Sequence, residues 1–250
     1  EPPQASIDRA RLGKLAGHPD LGAADYKLTH HCSNGRSVYS FCMCPGGQVV
    51  AAASELGGVV TNGMSHYSRA ERNANAGLVV GIEPDDFGGT GPLAGVALQR
   101  ALERAAFTLG GGTYDAPAQT VGDFLAGRAS DRLDGVVPSY QPGVQPTDLG
   151  GSLPQYAIDA LREAIPQFDR KVPGFAREDA VLTGVETRTS SPIRMPRGAD
   201  RQSVGVRGLY PAGEGAGFAG GILSAAVDGM RTAESLAQEL VGASHGPPSG

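Results

Sequence analysis

One stretch constrains this chain more than any other: Gly208–Leu240, GLYPAGEGAGFAGGILSAAVDGMRTAESLAQEL. Leu209 and Tyr210 read as the end of an apolar strand. Gly213, Gly215, Gly217, Gly220 and Gly221 then crowd into one turn. Glycine has no side chain to block close approach, so such a turn can press backbone N–H groups against a ligand. A long helix follows, with Leu223, Val227, Met230, Ala233 and Leu240 at the spacing of one buried face. Asp228, Arg231 and Glu239 lie off that stripe. The first N–H groups of a helix are unpaired and carry positive dipole character, which suits an anion or a polarised oxygen.

Gly215-Ala216-Gly217-Phe218-Ala219-Gly220 matches G-x-G-x-x-G. The dinucleotide fingerprint also needs a strand after the helix and an acidic residue about 20 positions on. Here GASHGPPSG follows the helix, so no βαβ unit closes, and the pyrophosphate reading is weak. Strand, Gly213-Glu214, small residues and a terminal helix instead resemble the C-terminal flavin motif of FAD-dependent oxidoreductases. In those families the acidic residue hydrogen-bonds the ribityl hydroxyls, and the helix start faces the N1/C2=O edge of the flavin. The competing reading is a tight strand-to-helix connection that uses glycine for packing alone. Five glycines exceed what a short connection needs.

A formal charge of −5 and a pI near 5.5 argue against a nucleic-acid surface built on general positive charge. No run of about 18 apolar residues marks a membrane span. No signal peptide is visible and Glu1 is not an initiator Met, so the chain is expected to begin inside a longer or processed protein. Cys32, Cys42 and Cys44 are odd in number and cannot all pair internally. A reducing, cytoplasmic location is the simpler reading.

Along the chain, 1–25 reads as a connector with a partial helix. Tyr26–His30, Val38–Met43, Gln48–Ala53 and Gly58–Thr61 read as strands, with Pro45-Gly46-Gly47 and Leu56-Gly57 as turns. Their close spacing suggests an antiparallel sheet. Leu78–Ile82 is a further apolar run. Pro92–Leu109, Ala118–Ala126 and Pro154–Ile165 read as helices and Val181–Thr187 as a strand. The expected organisation is an α+β insertion or substrate domain over 26–178, the C-terminal segment of an FAD-binding, Rossmann-like domain over 179–241, and a flexible tail over 242–250. The fold class is therefore α/β with an α+β insertion. No internal repeat is visible.

Three further stretches carry unusual chemistry. Cys42 and Cys44 in SFCMCPGG would lie about 7 Å apart on one face of an extended strand. A disulfide there would be strained, and zinc would want a second ligand pair. Buried free thiols are the plainer reading, and no metal site is expected. Thr61–Arg69 with Arg72–Asn75 is rich in donors, and His66 can act as acid or base near neutral pH or simply be exposed. In Glu186–Arg194, Arg188 and Arg194 bracket Thr189, Ser190 and Ser191, a set able to hold a carboxylate or phosphate or to form an ordinary polar turn.

SFCMCPGG, VVTNGMS, RAERNANA, PAQTVGDFL, LTGVETRTSSPIR and GLYPAGEGAGFAGGILSAAVDG together resemble the uncharacterised FAD-dependent dehydrogenases of bacteria, an NAD(P)/FAD-dependent oxidoreductase family. The resemblance is to the C-terminal portion of that family and runs from near Glu1 to about Glu234. Pro2 stands where the family has His, and His66-Tyr67 where it usually has Tyr-His, which weakens a role for His66. The resemblance implies that Gly213, Glu214, Gly217, Gly221 and Ile222 touch FAD, with Gly215, Ala216 and Gly220 in the same turn. It places Arg188, Ser190, Ser191 and Arg194 on the flavin side. It implies a small-molecule substrate and leaves NAD(P)H as a candidate electron donor. It names neither the substrate nor a catalytic acid, base or thiol. A non-redox scaffold that keeps the flavin fold, or an RNA- or protein-binding module, stands as the alternative. A hydrolase or transferase using His66 and the Ser190–Ser191 pair ranks last, since no serine sits on a G-x-S-x-G elbow.

Overall fold

The computed structural model describes residues 1–244. Of the tail expected over 242–250, residues 242–244 are instead the end of the last helix, and the rest lie outside the described residues. Two compact units divide the chain: unit 1 holds 1–86 and 98–187, and unit 2 holds 87–97 and the residues from 188 on.

Unit 1 opens with helix α1 (Gln4–Leu12). Four strands follow: β1 (Thr29–His31), β2 (Ser37–Ala51), β3 (Thr61–Met64) and β4 (Asn73–Val80). β2 is antiparallel to all three of the others, meeting β1 and β4 along its first half and β3 along its second. Helix α2 (Ala94–Leu109) leads to β5 (Ala116–Thr120), α3 (Val121–Ala126), β6 (Val144–Pro146), α4 (Gln155–Lys171) and β7 (Val181–Thr183). β5 is central in a second sheet, parallel to β6 and antiparallel to β7.

Two expected strands and the Pro45-Gly46-Gly47 turn between them are one continuous strand. Register shifts on either side of Cys44 absorb the irregular residues, so the ladder resumes instead of reversing. Gly46 takes φ 44°, and a Cβ there would stand 1.9 Å from the Arg69 carbonyl oxygen. Only glycine permits that approach. The helix expected over Ala118–Ala126 splits at Thr120. Its hydroxyl accepts the Asp123 N–H at 3.1 Å, an N-cap that ends the strand and starts α3. α4 runs past Ile165 and through Pro166. Ile165 and Phe168 are both buried, and that burial outweighs the hydrogen bond that proline removes. Val181–Thr187 keeps strand structure only to Thr183.

The main core gathers Ile7 of α1, Val38 of β2, Phe124 of α3 and Ile158, Ile165 and Phe168 of α4. Phe168 and Tyr26 both meet Phe175 edge-on, at centroid distances of 5.5 and 5.4 Å. These contacts draw together sequence positions far apart, and they fix the platform that carries β1 and β2.

Candidate functional site in the glycine turn

The candidate cofactor residues belong to unit 2. Leu209 and Tyr210 form no ladder, so the expected strand is absent; the Leu209 carbonyl instead accepts the Ser203 N–H at 2.7 Å. The turn that follows is closed by its own backbone. Gly217 N–H donates to the Glu214 carbonyl at 2.8 Å and Phe218 N–H to that of Gly213 at 3.0 Å. Gly213, Gly217 and Gly221 have φ of 71°, 80° and 153°. Helix α5 (Ile222–Ser244) begins immediately after.

The glycines divide by what surrounds them. A Cβ at Gly217 would stand 2.5 Å from the Ile193 carbonyl oxygen, so this glycine serves the packing of the 193–194 segment on the turn. Met195 N–H donates to the Ala216 carbonyl at 3.1 Å in the same contact. Gly215 and Gly220 instead face open space, with nothing within 4 Å of an added Cβ. The glycine-for-packing reading therefore accounts for Gly217 but not for Gly215 or Gly220.

Ser191 is spent inside the loop: its hydroxyl donates to the Ile193 or Gly215 carbonyl at 3.0 and 3.1 Å. Ser190 and Arg188 are exposed. The Arg194 guanidinium sits 4.6 Å from the Phe218 ring centroid. The Glu214 carboxylate meets no hydrogen-bond or ion-pair partner among the described residues. Ile222 and Leu223 open α5 at 84% and 83% exposure. The stripe Leu223, Val227, Met230 and Leu240, expected to be a buried face, is exposed throughout. Periodicity identifies an apolar face and says nothing of what covers it.

Sequence reasoning missed the residues that hold the turn in place. Asp228 of α5 accepts the Gly213 N–H at 2.9 Å. It also accepts two bonds from Arg197, at 2.9 and 2.6 Å, and one from Arg201 at 2.8 Å. Arg197 donates to the Pro211 carbonyl at 2.7 Å and lies 3.6 Å from the Phe218 centroid. The Asp228 carboxyl is held well below the usual carboxylate range, first by Arg197 and then by the Gly213 N–H. The one available signal was Asp228 standing off the apolar stripe of α5.

The other expected constellations lie in unit 1. His66 and Tyr67 are exposed, and the His66 carbonyl accepts the Arg69 N–H. Cys42 is exposed and takes φ 44°, while the Cys44 thiol donates to the Cys42 carbonyl at 3.2 Å. Burial pushes the Cys44 thiol up in pKa. None of the three cysteines is joined in a disulfide. Among the described residues no helix is long and apolar enough to cross a membrane.

The family described as "FAD-dependent protein, C-terminal domain-like" matches residues 1–189. The chain belongs to that family. An uncharacterized protein of Clostridium beijerinckii is 54% identical over 241 residues, covering 96% of this chain and 45% of the relative. The chain thus spans about half the length of the curated relative it matches. The family match includes Arg188 and ends before the glycine turn, whereas the relative's match reaches nearly the whole chain.

Proposed function

We propose that this chain is part of an FAD-dependent oxidoreductase acting on a small molecule in the cytoplasm, with NAD(P)H as electron donor. In this reading 26–178 is the substrate domain and 179–241 closes the Rossmann-like FAD domain. The observation that carries it is the unpartnered Glu214 carboxylate beside the open glycines and the start of α5. A cofactor presenting sugar hydroxyls and a polarised edge needs such a group: an accepting carboxylate, backbone able to come close, and unpaired helix N–H donors.

The residues fit. Glu214 would accept from ribityl hydroxyls, Gly215 and Gly220 leave open space beside it, and the first N–H groups of α5 would offer donors to the polarised edge of the cofactor. Ile222 and Leu223 supply apolar surface. Gly213, Ala216, Gly217 and Gly221 shape the turn. Arg188, Ser190 and Arg194 would lie on the flavin side, with Ser191 bracing the loop. When bound, the cofactor supplies hydride or electron transfer.

A charge-assisted hydrogen bond contributes about 1.5–3 kcal/mol. Glu214→Ala in the full-length gene product is therefore expected to weaken FAD binding by roughly ten- to a hundred-fold. Flavin fluorescence titration measures it, and unchanged affinity would remove Glu214 from the site.

A further inference from the structure

We infer that unit 1 carries a divalent-metal site formed by His30, Cys32 and Glu163. One ligand atom from each lies within 4.8 Å of the other two. His30 Nε2 and a Glu163 oxygen are 3.0 Å apart. The three residues come from β1, the turn after it and α4, so no local pattern in the sequence marks them.

Three features distinguish the cluster from a chance meeting of polar groups. The donor set is imidazole nitrogen, thiol sulfur and carboxylate oxygen, which is the set that zinc and its borderline neighbours take. Bond lengths of about 2.0–2.1 Å to N and O and 2.3 Å to S imply ligand separations of roughly 3.3–3.6 Å around a tetrahedral ion. The separations present, from 3.0 to at most 4.8 Å, need side-chain adjustments of about 1 Å. The third feature is support. Glu163 accepts from Ser33 N–H at 3.0 and 3.1 Å and from Ser33 Oγ at 2.6 Å, which fixes its orientation as outer contacts do for metal ligands.

Access also fits. The His30 and Glu163 side chains are 23% and 33% exposed, while Cys32 is buried beneath them. An ion entering from solvent replaces the His30–Glu163 hydrogen bond. It also breaks the hydrogen bond that the Cys32 thiol donates to the Ala160 carbonyl at 3.4 Å and releases the thiol proton to water, leaving a thiolate ligand. Three protein ligands leave a fourth position for water. The ion would tie the β1–β2 turn to α4, and nothing in this depends on the flavin reading.

Cobalt(II) is the probe, added to the chain carrying Cys42→Ser and Cys44→Ser so that Cys32 is the one thiol. The expected result is one equivalent bound, a thiolate-to-cobalt charge-transfer band, and displacement by zinc. Cys32→Ser in that background should abolish the band, and His30→Gln should lower affinity more than about tenfold. Circular dichroism reports whether each variant folds. The inference is overturned if the parent shows no charge-transfer band at saturating cobalt, or if Cys32→Ser binds cobalt as tightly as the parent.

Discussion

Unit 1 and unit 2 are held together by different physics. Unit 1 buries Ile7, Val38, Phe124, Ile165 and Phe168 almost completely. Among the described residues, the buried apolar side chains of unit 2 are Ala216 and Pro211. Unit 2 instead exposes Ile222, Leu223, Val227, Met230, Leu240 and Val241 along α5. Its turn is tied to α5 through one carboxylate, Asp228, that receives two arginines and a backbone N–H. Burial is non-directional and tolerates small shifts, whereas an ion cluster works only in its own geometry. A core supports a platform, and a polar clamp can hold a turn open toward a ligand without filling the space beside it.

That contrast predicts a descending series of effects. Phe168→Ala removes a fully buried ring from the main core and should cost about 3–5 kcal/mol in urea unfolding of unit 1. Asp228→Asn strands Arg197, whose side chain is only 9% exposed, and should cost about 3 kcal/mol. Hydrogen exchange should place that loss at 197–203 and 211–218. Equal loss of protection across α4 would erase the distinction between the units.

The same carboxylate sets a pH dependence. Its folded pKa is depressed, so its contribution is present above the unfolded value near 3.9 and is lost as pH falls through the folded value. The Gly213 amide resonance should hold steady from pH 7 to about 4 and move only below that, within the range of the depressed value. The mutant Asp228→Asn should lack this acid transition. The smallest effect belongs to α5. Ile222→Ser with Leu223→Ser should change stability by no more than about 0.5 kcal/mol, because both side chains are already exposed. A stability loss above 2 kcal/mol would mean that the face is covered in solution.

What the sequence disclosed follows from locality. The glycine turn and the start of α5 were legible because glycine density and helical periodicity are local signals. The antiparallel character of β1–β4 was legible from closely spaced strand segments. The single strand β2 was not, since Pro45-Gly46-Gly47 reads as a turn, whereas the ladder to β4 resumes past it through register shifts and a left-handed Gly46. The Arg197–Asp228 pair spans 31 residues and the His30–Glu163 pair 133, so neither leaves a pattern in the sequence. The apolar stripe of α5 was recognised, while its exposure is set by neighbours that periodicity does not describe.

The second sheet sets the timing of assembly. β5 lies between β6, which follows about 24 residues later, and β7, which follows about 61 residues later. During synthesis β5 waits with one edge open until 181–183 have been made. α1 waits too, because Ile7 shares its core with Phe168. At about 5–20 residues per second, that interval lasts several seconds. For that time the chain carries an incomplete sheet and an unburied helix face, the state in which a nascent protein depends most on chaperones.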